Sequence, residues 1–157
     1  ITAKVEVVRT SEAQIILRLG RIPQQAQDGF RRGAMAAAIA LANYIKEQKL
    51  SGQALKTRTG TGRRAVRTRQ LSDGAAVVID NVAWYLKLHE FGVPHPWVIT
   101  PKNAKALRFV IDGQPVFAKR VEHPGLEERA FMRDSLREMK PQLVQIINQH
   151  ITAELRK

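Results

Sequence analysis

Residues 23–49 read PQQAQDGFRRGAMAAAIALANYIKEQK, and this stretch decides the fold. Its apolar residues recur three and four positions apart, which predicts one long helix with a single buried face. The face comprises Phe30, Ala34, Ala37, Leu41, Tyr44 and Ile45. Pro23 suits the first turn of a helix, and Ser51-Gly52 marks the end. Because the middle of the helix is rich in alanine, a sheet or a second helix can approach it closely.

Short strands are predicted on both sides of this helix. The segments are 3–9, 13–19, 75–80, 105–111 and 115–121, with 82–89 as a short helix or a strand. Asp73-Gly74 and Asp112-Gly113 are acid–glycine pairs of the kind found in tight hairpin turns.

A second helix is predicted from about Arg129, where apolar residues again follow the helical period. These residues are Phe131, Met132, Leu136, Met139, Leu143, Ile146, Ile147, Ile151 and Leu155. Pro141 must kink or split this helix, since it lacks a donor and clashes with the preceding turn. The order of elements predicts an α+β fold in a single domain over 1–157. We expect an antiparallel sheet packed against a long N-terminal helix and a C-terminal helix, with extended loops.

Positive charge is the strongest compositional signal. The net charge is +12, and residues 1–70 hold 14 Lys and Arg against 4 Asp and Glu. Residues 51–74 are rich in Gly, Thr, Ser and Arg, which predicts a mobile basic arm, either a loop or a long solvated hairpin. Its cations are Lys56, Arg58, Arg63, Arg64, Arg67 and Arg69. They suit acidic neighbours or the phosphates of DNA, and docking on acidic neighbours is the favoured alternative.

Prolines and aromatic residues mark a second segment. Pro94, Pro96 and Pro101 predict a proline-rich excursion over 91–104 without regular structure. Four aromatic residues lie within 14 positions: Trp84, Tyr85, Phe91 and Trp97. Such a cluster usually belongs to a core. Because tryptophan and tyrosine are common interface anchors, we expect these four to form a subunit interface.

Catalytic and metal sites find little support in the sequence. The chain has no cysteine, and its serines lie outside a nucleophile elbow. The spacing of His89, Glu90, His95 and His123 differs from that of a helical zinc site, so no metal and no cofactor is expected. Glu90 is expected to cap or pair locally, and Phe91 to anchor a loop. No apolar run is long enough to span a membrane.

A series of short motifs runs through most of the chain. They are LSG at 50–52, TGTGRR at 59–64, WYLKLHEFG at 84–92, ITPK at 99–102, ALRF at 106–109, VFAK at 116–119, HPG at 123–125 and RAFMRDSL at 129–136. In this order and spacing, the series resembles the tail-completion or neck proteins of tailed phages, which join head to tail. Two positions depart from that family, which more often has a bulky apolar residue at Gly62 and a proline at Ala130.

This resemblance implies a non-enzymatic structural protein of the virion. Such proteins form a homo-oligomeric ring, typically hexameric, at the head–tail junction. Their partners are the tail terminator or tail tube and the head-side connector, and the genome passes through the lumen, where the ring can contact DNA. The resemblance further implies synthesis in the host cytoplasm, localisation in the virion neck and no membrane partner. The alternative from charge alone is a sequence-independent nucleic-acid-binding protein.

Overall fold

A computed structural model describes residues 3–9, 13–19, 24–55 and 59–156. Its strands are β1 (Ala3–Arg9), β2 (Ala13–Leu19), β3 (Val66–Leu71), β4 (Gly74–Ile79), β5 (Trp97–Ile99), β6 (Leu107–Ile111), β7 (Gln114–Ala118) and β8 (Val121–His123). Its α-helices are α1 (Gln24–Tyr44), α2 (Thr61–Ala65), α3 (Tyr85–Phe91) and α4 (Phe131–Leu155). A π-helical segment, Ile45–Gln53, continues α1, and a 3-10 turn, Asn81–Ala83, precedes α3. The α+β class with an antiparallel sheet and two long helices is confirmed.

The main sheet has four antiparallel strands in the order β1-β2-β4-β3. Every residue of β4 is buried, because the strand is central and α1 packs on the sheet. Ala75, Val77 and Ile79 belong to the main hydrophobic core. The predicted hairpin after α2 is confirmed, but its two-residue loop is Ser72-Asp73, since Leu71 pairs with Gly74.

Helices α1 and α4 form the second layer and run antiparallel. A Cβ atom on Gly29 would lie 2.9 Å from Cα of Ile151, and one on Gly33 would lie 2.9 Å from Cα of Ile147. The absence of side chains at these two glycines therefore lets the backbones approach. At the other end, Glu138 of α4 accepts hydrogen bonds from Tyr44 at 2.6 Å and Lys49 at 2.9 Å.

Both predicted helix faces are largely confirmed. Phe30, Ala34, Ala37, Leu41 and Ile45 are buried on α1, while Tyr44 is half-buried. Most of the apolar set on α4 is buried or half-buried, and only Leu155 is exposed, at 58%. Pro141 was predicted to kink or split this helix, and the splitting alternative is wrong: α4 is continuous, with Pro141 on its exposed side.

The extended arm predicted over 51–74 is wrong for residues 61–71, which form α2 and β3. Ala65 and Val66 enter the core and hold this segment to the body. From there Arg67 and Arg69 point outward along the edge strand of the sheet. Charged residues are common on edge strands, because they discourage pairing with a foreign strand. Arg67 and Arg69 are exposed, Gln70 is exposed too and Thr68 is half-buried. This largely polar strand therefore resembled a solvated arm in the sequence.

The projecting element is instead the segment from Val93 to Leu126, here called the ribbon. It consists of nested antiparallel pairings: a bridge between Val93 and Leu126, the β5–β8 pair and the β6–β7 hairpin. The excursion predicted over 91–104 is thus wrong at 97–99, where β5 is a strand because β8 supplies its partner. Asp112 and Gly113 form the hairpin turn with φ of +50° and +80°, as a type I′ turn requires.

Among the described residues, no helix has both the length and the apolar character needed to cross a membrane.

Candidate interaction surfaces

Helix α3 is the element on which three of the sequence motifs meet. It ends in the Glu-Phe-Gly motif, and the helix-opening motif at 129–136 begins α4. The N–H of Arg129 donates to the carbonyl of His89 at 2.8 Å. Glu90 is fully buried, and its carboxylate accepts from the N–H of Met132 at 2.8 Å and of Arg133 at 3.2 Å. A side chain 42 positions upstream therefore caps the N-terminus of α4.

Arg133 packs against the outer side of this junction between α3 and α4. Its Nε donates to the Glu90 carboxylate at 3.1 Å, and its Nη2 donates to the Glu90 carbonyl at 2.8 Å. The same guanidinium pairs with Glu128 and lies 5.4 Å from the centre of the Phe91 ring. Glu90 thus has both a cap and an ion-pair role, as expected, but its partners lie far away in sequence.

Burial governs the electrostatics of this junction. Desolvation raises the pKa of the Glu90 carboxyl, while the N–H groups of Met132 and Arg133 and the guanidinium of Arg133 oppose that rise. Burial also lowers the pKa of His89, and the charge of Arg129 adds to this effect. The helix junction is therefore built around a desolvated carboxyl group, and burial beside Arg129 favours the uncharged form of the His89 imidazole.

Two glycines allow the ribbon to meet this junction. At Gly92, with φ of +67°, a Cβ atom would lie 2.9 Å from the backbone nitrogen of Glu128. At Gly125, with φ of +107°, a Cβ atom would lie 2.7 Å from the carbonyl oxygen of Val93. Only glycine combines this backbone conformation with so close an approach. The Glu-Phe-Gly, His-Pro-Gly and helix-opening motifs therefore belong to one structural unit.

The Thr-Gly stretch forms the other wall of α3. Gly60, with φ of +72°, precedes α2, and Gly62 packs against Leu86 and Tyr85 of α3. Together with Leu50, Leu55 and His89, these segments line a cavity of about 550 Å³. A single helical turn, with no Gly-Lys-Ser/Thr after it, lacks the architecture of a phosphate-binding loop. A bulky residue at Gly62 would crowd Leu86, because a Cβ atom there would already lie 3.3 Å from Cδ1 of Leu86.

The residue that precedes α4 has an unusual backbone conformation. Ala130 precedes α4 with φ of +41°, in the left-handed region. A proline ring fixes φ near −65°, so proline cannot adopt this conformation. A proline at position 130 would therefore require a different backbone conformation at the start of α4.

The predicted basic site residues are spread over several elements. Arg63 and Arg64 are exposed on α2, and Arg67 and Arg69 are exposed on β3. Arg67 is paired with Asp80 at 2.6 Å. Lys56 and Arg58 lie outside the described residues. The four described arginines therefore lie on the body of the fold, and those of β3 lie at the edge of the main sheet.

The predicted aromatic interface residues also occupy separate elements. Trp84 follows the 3-10 turn and is 65% exposed, whereas Tyr85 is half-buried beside the α3 cavity. Phe91 ends α3 beneath Arg133. Trp97 stacks on the His123 ring across the β5–β8 pair, with ring centres 4.0 Å apart. Of the four, Trp84 has the side chain most accessible to a partner.

The sequence interpretation missed a further surface, at the hairpin of the ribbon. Val110, Ile111 and Phe117 are 62%, 52% and 64% exposed. Strands β6 and β7 contact mainly each other, so neither face of the hairpin lies in the core. The sequence FVIDGQPVF at 109–117 contains the pattern of such a surface, because apolar residues occupy both alternating faces of the hairpin and no polar face remains.

In the part of the chain that the structure describes, no three His, Cys, Asp or Glu side chains come together as a metal-binding group. No protein-family model, curated protein or solved structure matches this chain.

Proposed function

We propose that this chain is a structural subunit of a ring at the head–tail junction of a tailed phage, joining tail to head around the DNA channel. The observation that carries the proposal is the convergence of separate motifs on α3. Glu90 of one motif caps the helix opened by another, through Met132 at 2.8 Å. Gly92 and Gly125 permit the close contacts of the same unit. The motifs that carry the resemblance thus form one structural unit, which is what a shared structural role of these motifs would require.

The distribution of exposed apolar residues agrees with a protein that works through surfaces. Trp84 on the body and Phe117 on the ribbon are both more than 60% exposed. Side chains of this size at the surface are typical of protein–protein contacts. A ring with cyclic symmetry needs two different complementary surfaces on each subunit. The body and the ribbon offer such surfaces.

The test is removal of this chain from a phage that encodes it. If it joins tail to head, the lysate accumulates filled heads and separate tails, and the intact chain supplied in trans restores joined particles. Electron microscopy of the lysate distinguishes the two states. Joined, infectious particles formed without the chain contradict the proposal.

Nucleic-acid binding is the second candidate function, and exposed cations on the ribbon support it. Lys102, Lys105, Arg108, Lys119 and Arg120 are exposed there, and none has an ion pair within the described ranges. Each phosphate contact contributes about −0.9 to the slope of log binding constant against log salt. Replacing Lys105, Arg108 and Lys119 with Ala should flatten this slope if the ribbon contacts DNA. Replacing Arg63, Arg64 and Arg67 tests the sheet edge, and an unchanged slope in both triple variants excludes both surfaces.

A further inference from the structure

The β6–β7 hairpin lacks the packing that a two-stranded sheet needs. Its strands of five residues are about 17 Å long and contact mainly each other. A lone two-stranded hairpin is marginally stable in water. The hairpin nevertheless exposes Val110, Ile111 and Phe117 by more than half. These side chains would gain stability from burial against a second surface.

The register of the hairpin leaves its apolar faces as the surface for contact. Ile111 pairs with Gln114 around the two-residue turn, so Val110 and Pro115 form the next cross-strand pair. Proline has no N–H, and its place in β7 interrupts the row of outward donors along that edge. Pairing of β7 with a foreign strand is thereby disfavoured. Side-chain packing is the remaining mode of association for this edge.

A groove with matching character lies at the base of the ribbon. It has a volume of about 610 Å³, and its apolar lining includes Phe91, Val93, Pro94, Pro124 and Leu126. All five are half-buried or exposed. The lining mixes these apolar side chains with the polar groups of Glu127 and Glu128, and a groove of this size can receive a side chain such as Phe117.

The charges around the two surfaces are opposite. The hairpin is flanked by Arg108, Lys119 and Arg120, all exposed. The groove is bordered by two exposed carboxylates. Glu127 has no ion pair in the described part of the chain, whereas Glu128 pairs with Arg133. Charge complementarity of this kind fixes register and orientation in an interface.

We infer that the hairpin of one subunit docks in the groove of a second copy of the chain. Phe117 and Val110 enter the groove, and Lys119 and Arg120 approach Glu127 and Glu128. The hairpin cannot occupy the groove of its own chain in this structure, since its apolar side chains are exposed. When each subunit passes its hairpin to the next subunit in one direction, the contact is heterologous, and a rotation that closes on itself produces a ring. This inference rests on the proposed function, for which it supplies the subunit contact.

A mixing experiment tests the contact directly. One variant blocks the hairpin by Val110→Asp and Phe117→Asp, and a second blocks the groove by Pro94→Lys and Glu127→Lys. All four positions are exposed, so the body of each variant should fold, as circular dichroism can verify. Each variant alone should self-associate at least about tenfold more weakly than the native chain in analytical ultracentrifugation. Their mixture should form a 1:1 dimer, because one intact hairpin meets one intact groove.

Two controls make the result decisive. Lys119→Glu with Arg120→Glu should weaken assembly, and combining this pair with Glu127→Lys in one chain should restore it. Val144→Ala, which changes an exposed side chain of α4 outside both surfaces, should leave assembly intact. A native chain that stays monomeric, a mixture that forms no dimer, or a hairpin-blocked variant that assembles like the native chain overturns the inference.

The same experiment separates this inference from the proposed function. A virion ring in which the hairpin lies outside its neighbour's groove overturns the docking contact and leaves the function standing. Assembly through the hairpin, in a chain that purified virions lack, supports the docking contact and contradicts the function.

Discussion

Replacement of Glu90 with Ala should be among the most damaging single changes in this protein. The carboxylate is fully buried and accepts from the N–H groups of Met132 and Arg133 and from the Arg133 guanidinium. The substitution removes all of these acceptors at once. It also leaves the N-terminus of α4 without its cap, and α4 contributes many residues to the core. We therefore expect a loss of global stability, with the fold of the remaining chain retained.

The magnitude follows from the individual contacts. Loss of a helix cap costs about 0.5–2 kcal/mol, and a buried donor left without an acceptor costs about 1–3 kcal/mol. Both figures describe the loss of the same hydrogen bond from the Met132 N–H, which lies beside fully buried side chains, so they are not added together. Removing one partner of a fully buried ion pair costs about 3–5 kcal/mol. The Arg133 side chain is 38% exposed and can reach water, so we expect about 3 kcal/mol. At about 2–4 °C per kcal/mol, Tm falls by roughly 6–12 °C.

Urea denaturation and thermal unfolding, both followed by circular dichroism, measure this loss. The matched control is Glu128→Gln, which removes the other carboxylate of Arg133. The Glu128 side chain is half exposed, and an exposed ion pair contributes about 0–1 kcal/mol. If Glu90→Ala destabilises the protein no more than Glu128→Gln does, the capping role assigned to Glu90 is wrong.

The pH dependence of stability gives a second test of the same site. Burial raises the pKa of the Glu90 carboxyl above its ordinary value of 4.5. A group with a raised pKa in the folded state contributes stability that is fully present below pH 4.5 and is lost as pH rises through the folded-state pKa. The stability difference between the native chain and Glu90→Gln, which does not titrate, should therefore shrink as pH rises from below 4.5. A difference that grows over this range means that the Arg133 pair outweighs burial.

Two further predictions concern the helix contact and the ribbon. Gly33→Ala should destabilise the protein by about 1–3 kcal/mol, because the added methyl group overpacks against α4. This loss is expected even though alanine favours an isolated helix by about 1 kcal/mol relative to glycine. Urea denaturation measures the change, and a gain in stability would refute the close approach of the two helices. In a Trp84→Phe background, His123→Ala should increase iodide quenching of the remaining Trp97, because it removes the ring stacked 4.0 Å away; unchanged quenching would show that the stack does not shield Trp97.

The elements with a complete local pattern were predictable from sequence. The buried face of α1 follows from apolar spacing around Phe30 and Leu41, which are 2% and 0% exposed. The β6–β7 hairpin follows from Asp112-Gly113, whose positive φ angles match the turn that this pair favours. In both cases neighbours in sequence determine the local structure, and distant residues only add packing.

The remaining features depend on residues far apart in the chain. Glu90 caps a helix that begins 41 positions later, at Phe131, and no local pattern marks such a pairing. Trp97 is a strand residue because β8 lies opposite it, despite the prolines nearby. The arginines of β3 suggested a solvated arm, whereas Ala65 and Val66 bind this segment to the core. The apolar hairpin was predicted as a strand pair, but its exposure follows from the tertiary fold alone.

Cryo-electron microscopy of particles from a phage that encodes this chain is the most direct test of the central proposal. We predict a symmetric ring of this chain between the head-side connector and the tail, with α1 and α4 fitting its density. Junction density that this fold does not fit, with the chain absent from the purified particles by mass spectrometry, contradicts the account.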